Sequence, residues 1–365
     1  MAFGTVSTDV IQTSDGLTLG AGNATLMKNK LINGACVIDQ RNAGASVTPA
    51  NGAYTLDRYN VLMPVASKFT VAQSSTAPTG FVNSLLVTSS SAYTVGASEA
   101  FGIQQVIEGY NIADLGWGTA NAKTVTLSFW VYSSLTGTFG GALQNYAADR
   151  SYPFSYTVSS ANTWTQASVT IAGDTTGTWT TTNSGGIALI FSMGTGATKS
   201  GTAGSWSSTY YTSVTGATSV VGTNGATFYI TGIQLERGSS ATGFEYRQYG
   251  QELALCQRYY VQYFGTSLYE YAPSYLNGYN TTNAYGWIQV PVPMRASPSV
   301  SASTFLINDE TAPETGTSLA IYTAGQSNKL VSVLAQAASG ITVNRAYNLV
   351  ANNSTSAYIQ ISSEL

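Results

Sequence analysis

The segment Thr124–Ser133, which reads TVTLSFWVYS, decides the fold class of this chain. Its apolar residues alternate with polar or aromatic ones, which is the period of a β-strand buried on one face. The segment therefore predicts a strand whose inner face belongs to a hydrophobic core. The expected inner residues are Val125, Leu127, Phe129 and Val131, and the expected outer residues are Thr124, Thr126, Ser128, Trp130 and Tyr132.

Short runs of the same kind recur on both sides of this segment. Clusters of Gly, Asn, Asp and Ser such as AGDTTGT and TTNSGG separate them, as turns do. Many short strands with turn-rich spacing favour an all-β fold, an antiparallel sandwich or barrel, over strands that alternate with helices. The predicted strands lie at 167–171, 187–193, 227–235, 287–292, 299–303 and 358–361.

Two parts of the chain depart from the strand pattern. Residues 251–264, within YGQELALCQRYYVQYF, lack Gly and Pro and repeat apolar or aromatic side chains near helical spacing. We predict a connecting helix in 248–265, between a first domain at 31–247 and a C-terminal β-domain at 266–365. Residues 1–30 are polar and rich in Gly and Thr, and they predict an extended arm.

Composition excludes several classes of function. The chain has no His, which removes every catalytic arrangement and metal site that needs an imidazole. Only 8% of residues are charged and the net charge is −3, so the concentrated positive field of a nucleic-acid binder is missing. No long unbroken apolar stretch occurs, and we expect no membrane insertion. The two cysteines, Cys36 and Cys256, can form one disulfide bridge or remain as two buried thiols, and we favour the thiols.

The search for catalytic motifs finds little. GTGATKS at 194–200 lacks the glycine that precedes the lysine of a phosphate-binding loop. The 17 carboxylates are dispersed, and nothing marks two of them as a glycosidase pair. We therefore expect no enzyme, and we assign no catalytic residue, cofactor or metal ligand.

Several acidic residues lie beside or near an arginine in the sequence. With so few charges, such neighbours favour partly buried structural ion pairs over catalytic groups, because the planar guanidinium bonds carboxylates and backbone carbonyls together. The predicted pairs are Asp39 with Arg41, Asp57 with Arg58, Asp149 with Arg150, and Glu236 with Arg237.

Aromatic residues in polar loops are the candidate ligand-binding residues. Exposed rings suit the C–H faces of sugars, and neighbouring amides suit sugar hydroxyls. The same ring types are enriched in subunit interfaces, and that alternative stays open. The candidate glycan contacts are Trp179, Trp206, Tyr210 and Tyr211 in or near the long loop 197–225, and Tyr269, Tyr271, Tyr275 and Tyr279 in a tyrosine-rich loop that also holds Tyr285.

Several segments, in chain order, resemble a known module. NGACVIDQRNAG and YTLDRYNV are similar to an opening found in tailed-bacteriophage structural proteins, and FYITGIQLERGSSATGFEYR is similar to the end of that module. QELALCQRYY and VPVPMRASPSV resemble the C-terminal region of phage tail fibres and related virion proteins. The matched residues are Asn33, Gly34, Gln40, Arg41, Asp57, Arg58, Gln234, Leu235, Glu236, Cys256, Gln257, Arg258 and Tyr259.

The resemblance implies a jelly-roll domain similar to carbohydrate-binding modules, then a helix and a smaller C-terminal β-sandwich. It implies a virion protein, a tail fibre or similar appendage made in the host cytoplasm, with a receptor-binding role in host attachment through a surface polysaccharide. Such proteins are commonly homotrimers, and residues 1–30 would attach to other virion proteins. Jelly rolls of this kind often carry a structural calcium, which stays open here. The helix residues expected at the subunit interface are Leu253, Cys256, Tyr259, Tyr260 and Tyr263.

Three other roles stay open. A capsid-decoration or tail-assembly protein would never touch a host, and its place on the particle would identify it. A depolymerase would need clustered acids, often on a β-helix, and the sequence has no regular coil repeat of that kind. A carbohydrate-binding module detached from a cellular enzyme would need neither the N-terminal arm nor the CQRYY segment.

Overall fold

Residues 10–12, 18–20, 27–322 and 329–365 are described by a computed structural model of the chain. Antiparallel β-strands supply most of its regular structure, which confirms the predicted all-β class. Contacts between residues divide the chain into Met1–Tyr249 (unit 1) and Gly250–Leu365 (unit 2). Most of the predicted N-terminal arm, apart from 10–12, 18–20 and 27–30, lies outside the described residues.

Unit 1 is a sandwich of two five-stranded antiparallel sheets. Its strands, in chain order, are β1 (Val10–Gln12), β2 (Thr18–Gly20), β3 (Asn60–Leu62), β4 (Phe69–Ser74), β5 (Ser84–Ser89), β6 (Ala100–Glu108), β7 (Val125–Ser133), β8 (Gly137–Asn145), β9 (Ser151–Val158), β10 (Thr165–Ile171), β11 (Gly185–Thr195), β12 (Ser200–Gly201), β13 (Ser213–Val214) and β14 (Thr227–Arg237). Short 3₁₀ helices lie at Gly109–Leu115 and Ala197–Lys199. Sheet 1 has the order β10-β7-β14-β5-β4 and sheet 2 the order β3-β6-β11-β8-β9. The chain crosses repeatedly between them, as in a jelly roll.

The core of unit 1 lies between the two sheets. Val125, Leu127, Phe129 and Val131 all face it and are buried, which confirms the alternation of the opening segment. The ring of Phe129 packs edge-on against Phe191 of sheet 2, with 4.9 Å between centroids. One face of a single strand thus carries the contact that joins the two sheets.

Unit 2 closes into a barrel. Helix α1 (Tyr249–Gln257) precedes β15 (Tyr260–Tyr263), β16 (Ser274–Gly278), β17 (Asn283–Gln289), β18 (Ser299–Ser303), β19 (Phe305–Asn308), β20 (Glu314–Ile321), β21 (Leu330–Ala337), β22 (Ala346–Ala351) and β23 (Tyr358–Ser362). The strands β16-β17-β21-β20-β19-β22 form a closed barrel, and β15-β23-β18 form a separate sheet. The smaller sandwich expected here is therefore a barrel, in which every strand has two neighbours.

The structure shortens two predicted elements. The helix predicted in 248–265 ends at Gln257, and Tyr260–Tyr263 from its later part instead form β15, which pairs with β23. The strand predicted at 287–292 ends at Gln289, two residues before Pro291, which has no amide hydrogen to donate to a neighbouring strand.

The residues expected at the subunit interface are mostly unavailable to another copy. Cys256, Tyr259 and Tyr260 are buried in the single chain, and Leu253 and Tyr263 are half-buried. Because the helix ends at Gln257, Tyr259, Tyr260 and Tyr263 do not lie on it, so the structure corrects the expected helical contact surface. The oligomeric state itself stays a prediction.

Both cysteines are free, buried thiols, as the sequence predicts. Burial raises the pKa of the Cys36 thiol to about 12, so it stays protonated at neutral pH. A buried, protonated thiol is a poor nucleophile, and Cys36 therefore acts as a core residue.

Glu236 and Arg237 do not form the predicted ion pair. The Glu236 carboxylate accepts hydrogen bonds from Thr242 N and Oγ1, at 2.8 and 2.6 Å, and lies 4.0 Å from Lys28 Nζ. Arg237 is exposed. Consecutive residues of β14 point to opposite faces, so adjacency in sequence separates these two side chains.

Asp39 and Asp57 are held by backbone and amide donors. The Asp39 carboxyl accepts from Asn42 N and Gly44 N, at 3.0 and 2.8 Å. Burial raises the pKa of Asp39, although these bonds and the nearby Arg41 act in the opposite direction. The buried Asp57 accepts hydrogen bonds from the backbone and side-chain amides of Gln40, both at 2.7 Å. These bonds fasten the segment YTLDRYNV, which holds Asp57, to the segment NGACVIDQRNAG, which holds Gln40. The neighbour of Asp57 in the predicted pair, the buried Arg58, donates from Nη2 to a backbone carbonyl of β6 at 2.6 Å.

Arg150 pairs with Asp174 instead of its sequence neighbour Asp149. Its Nε and Nη2 donate to the two Asp174 carboxylate oxygens at 2.6 and 2.9 Å. Asp149 instead accepts from Asn145 Nδ2 at 2.6 Å. This bidentate pair joins the start of β9 to the loop that follows β10, a contact between residues far apart in the sequence.

The Arg150–Asp174 pair makes unit 1 sensitive to acid. Burial opposes ionisation, but hydrogen bonds from Arg150 and Thr176 outweigh it and hold the pKa of Asp174 below its usual range. A carboxyl whose pKa falls on folding stabilises the protein above its unfolded pKa of about 3.9, and this stabilisation is lost as the pH falls through the folded value. We therefore expect the melting temperature to fall below about pH 4, and Asp174→Asn to flatten that fall while lowering the melting temperature near neutral pH.

Differential scanning calorimetry across this range measures the effect. The control is Asp114→Asn, which removes an exposed pair with Lys30 (2.7 Å) and should change little, because surface pairs contribute little stability. Parallel pH profiles for Asp174→Asn and the unmodified protein would contradict the assignment.

Candidate functional site

Two of the candidate glycan contacts lie inside unit 1. The rings of Trp117, Trp179 and Trp206 pack edge-on, with centroids 4.7 to 5.4 Å apart. Trp179 Nε1 donates to Thr176 O, and Trp206 Nε1 donates to Ala172 O. Trp179 is only 7% exposed. These tryptophans therefore form a structural cluster whose N–H groups are already used.

The cluster anchors a segment that covers sheet 2, residues 200–221 (the strap). Its strand β13 lies against β8, β9 and β11, and Ser207 of the strap exchanges two backbone hydrogen bonds with Ser151 at the start of β9. A Cβ on Gly140 of β8 would overlap Ser213 of the strap, so the close approach requires glycine. The chain itself thus closes much of the outer face of sheet 2.

Tyr210 and Tyr211 belong to the strap and are half-buried. Lys199 Nζ lies 4.4 Å from the centroid of the Tyr210 ring, and burial raises the pKa of the Tyr210 hydroxyl. The Tyr211 carbonyl accepts from Gln144 Nε2 at 2.6 Å, and its ring lies against Gly201. Both tyrosines hold the strap in place.

Tyr275 and Tyr279 have a different setting, on the outside of the barrel in unit 2. Strand register puts Tyr275 opposite Trp287, and Trp287 opposite Ser332, so these side chains share the outer face. The outward residues of β16, β17, β21 and β20 and their ends form one surface, the barrel face. Its residues are Tyr275, Asn277, Tyr279, Asn283, Tyr285, Trp287, Gln289, Ser318, Ala320, Tyr322, Leu330, Ser332, Leu334 and Gln336.

The rings of the barrel face lie in contact and remain open to solvent. Tyr285 and Tyr322 stack with 4.9 Å between centroids and 5° between planes, and Tyr275 lies 5.3 Å from Trp287. Tyr279 lies 5.1 Å from Tyr285. Tyr279 is 59% and Trp287 47% exposed. Two groups of partly exposed rings on one face make the kind of surface that proteins use for interactions.

Amides and hydroxyls complete the barrel face. Gln336 Nε2 donates to Asn283 Oδ1 at 3.0 Å, and Ser318 Oγ donates to Gln336 Oε1 at 2.6 Å. These bonds order the polar groups beside the rings. Asn277 lies opposite Tyr285 on the neighbouring strand. No residue of the barrel face is charged.

Tyr269 and Tyr271 lie outside the barrel face. Tyr271 is bridged to Val350 of β22, and its hydroxyl accepts from Asn308 Nδ2 of β19 at 3.1 Å. It therefore lies beside the barrel strands that do not contribute to that face. Tyr269 is exposed in the connection that leads to β16.

The sequence reasoning missed Trp287 and Tyr322. For Trp287 a signal was available: Ala284 and Ile288 are buried, so the strand alternation sets Tyr285 and Trp287 together on the outside. Tyr322 has no such local signal. Tyr322 lies on the barrel face because its backbone amide donates a hydrogen bond to Ser332 O of the neighbouring strand.

The described part of the chain has neither a cluster of metal ligands nor a membrane-spanning helix. Among the described residues, no three His, Cys, Asp or Glu side chains lie together as a set of metal ligands. The same part of the chain has no helix with the length and apolar character of a membrane span.

Comparisons with known proteins give weak structural likenesses. No protein-family model and no curated protein matches the sequence. The enzymatically active domain of tailspike protein 4 from bacteriophage CBA120 aligns at 11% identity and a TM-score of 0.29, over 57% of this chain and 21% of that one. This chain thus spans about a fifth of the tailspike chain.

Two carbohydrate-binding domains show likenesses of similar size. A family 11 carbohydrate-binding module from Clostridium thermocellum, solved with a mixed-linked tetrasaccharide, aligns at 10% identity and a TM-score of 0.28, over 55% of this chain and 100% of that one. A xylan-binding domain from Paenibacillus barcinonensis aligns at 11% identity and a TM-score of 0.26, over 55% and 99%. Scores of this size assign no function.

Proposed function

We propose that this protein is a non-enzymatic glycan-binding protein and that the barrel face of unit 2 holds an uncharged saccharide. One observation carries the proposal: exposed rings lie beside ordered amides and hydroxyls on a surface without any charged residue. Rings and amides together match a sugar, which has apolar C–H faces and a rim of hydroxyls.

The chemistry of the barrel face favours an uncharged sugar over an acidic one. Stacking a sugar on Trp287 or Tyr285 removes apolar surface from water. The amides of Asn277 and Gln336 offer donors and acceptors for hydroxyl groups. A carboxylate-bearing sugar would lose hydration on this surface and find no cation to replace it.

We place this activity on a virion appendage, a tail fibre or similar protein that attaches the particle to its host. The support is the sequence resemblance of the opening, sandwich-end and CQRYY segments. Several copies on one particle would make weak individual contacts adequate, because later contacts become intramolecular. The alternative is a structural appendage in which the same rings meet a neighbouring subunit, since rings are also common at interfaces.

Trp287→Ala tests the proposal. We expect it to weaken binding of the labelled protein to host cells, and to their extracted surface polysaccharide, by about tenfold or more, which is about 1.4 kcal/mol. Trp287 is 47% exposed, so the variant should stay folded. Tyr110→Ala, which removes a 61% exposed ring from unit 1, is the matched control and should bind normally.

Two outcomes would count against the proposal. One is unchanged binding by folded Trp287→Ala. The other combines two results: the unmodified protein binds no polysaccharide, and light scattering gives Trp287→Ala a lower molar mass than the unmodified protein. That combination would favour the structural role.

A further inference from the structure

The outer face of sheet 1 has two halves, and one of them is covered by the chain. Residues 238–247 pass over the half that contains Thr126, Gln234 and Glu236. Thr126 Oγ1 donates to Gly238 O at 3.0 Å, and Glu236 accepts hydrogen bonds from Thr242. The three sheet residues are at most 1% exposed. Residues 238–247 therefore shield the polar side chains of this half from solvent.

The other half is open and carries a row of rings. Tyr132 of β7 lies directly opposite Tyr229 of β14, with 5.1 Å between their centroids. Trp164, just before β10, lies 5.5 Å from Tyr132. All three rings are partly exposed. We call Trp164, Tyr132 and Tyr229 the ring row.

Leu86 lies directly opposite Tyr229 on β5, and hydroxyl and amide residues border the ring row beyond it. The register aligns Thr70, Thr88 and Thr227 across three neighbouring strands on one side of it. Gln166, opposite Trp130, lies on the other side and is exposed. None of the residues in the ring row or along its borders is charged.

Polar side chains are covered and aromatic rings are partly exposed on this face, which is the opposite of the distribution that solvation alone favours. Burying polar groups costs free energy that hydrogen bonds must offset, whereas rings left in water gain nothing. Residues 238–247 cover Gln234 and Glu236 and leave the ring row partly exposed. The open half is therefore arranged for a ligand that is apolar on one face and rich in hydroxyl groups at its edge.

We infer that the ring row of unit 1 is a second saccharide site, separate from the barrel face. An uncharged sugar would stack on Tyr132, Tyr229 or Trp164 and bond the threonine hydroxyls and the Gln166 amide. The inference does not depend on the barrel face, because its residues belong to the other unit. With two sites on one chain, a polysaccharide long enough to reach both would be held more tightly than a short one.

The test uses the full chain on an array of immobilised uncharged and acidic polysaccharides. Two variants address the ring row: Trp164→Ala removes a ring, and Thr88→Glu leaves the rings and adds a carboxylate beside them. We expect both to lose tenfold or more in affinity for the same subset of uncharged polysaccharides, while Trp287→Ala keeps that subset. Tyr110→Ala is the control and should keep the whole pattern.

The outcomes separate this inference from the proposed function. If Trp287→Ala abolishes all binding and both ring-row variants keep the full pattern, the ring row is not a site and the barrel face stands. If only the ring-row variants lose binding, the barrel face fails. Binding confined to acidic polysaccharides, no binding at all by the folded protein, or a lower molar mass of Trp164→Ala by light scattering would overturn the inference, the last by showing a contact between copies.

Discussion

Replacing Gly34 with alanine is expected to cost unit 1 at least about 3 kcal/mol and to leave little folded protein, because no space exists for a side chain. A Cβ at this position would overlap the carbonyl oxygen of Ile233. That carbonyl also accepts from Asn29 Nδ2 at 3.0 Å, and Ile233 N donates to Gly34 O at 2.9 Å. Either backbone could move away only by breaking buried hydrogen bonds.

Chemical denaturation measures this loss. Gly250→Ala is the matched control, since nothing lies within 4 Å of a Cβ there and the residue belongs to α1. Alanine in a helix is more stable than glycine by up to about 1 kcal/mol, so the control should unfold at the same or a higher denaturant concentration. Equal unfolding midpoints for Gly34→Ala and the unmodified protein would show that the turn at Gly34 approaches β14 less closely than described.

Arg247→Met is the second large effect, at about 3 kcal/mol, because a cation would be removed from a mostly buried network. Arg247 Nη1 and Nη2 donate to the carbonyls of Leu31 and Asn29, and Nη2 lies 3.5 Å from Glu245 Oε2. Glu245 accepts in turn from the backbone amides of Met27 and Asn29. The network fastens residues 27–31 to residues 245–247, which lie near the end of unit 1.

Arg237→Met is the control, because Arg237 is exposed at the end of β14 and loses the same charge. Thermal unfolding should separate the two variants, and limited proteolysis should cut Arg247→Met faster near Leu31. If both variants unfold alike, the network contributes no more than a surface charge does.

Local alternation was enough to predict the all-β class and several of the strands. TVTLSFWVYS determined a strand and its buried face, since neighbouring residues of a strand always point to opposite sides. Alternation could not separate the start of β15 from a helix, because Cys256, Tyr260 and Phe264 satisfy helical spacing while the pairing of Tyr260–Tyr263 with β23 comes from residues about a hundred positions away. It also could not find the true ion pairs, since Arg150 and Asp174 meet only after β9 and β10 have folded.

By itself, then, the sequence determined the all-β class, the inner face of the strand at 124–133, and a composition rich in rings, amides and hydroxyls with few charges. Only the tertiary structure decided which aromatic rings are exposed to solvent. Trp206 and Trp287 are both tryptophans in polar surroundings, yet Trp206 packs against the rings of Trp117, Trp179 and Tyr152, whereas strand register leaves Trp287 47% exposed. The physical reason is that a side chain's exposure depends on what covers it, and the covering segments come from distant parts of the chain.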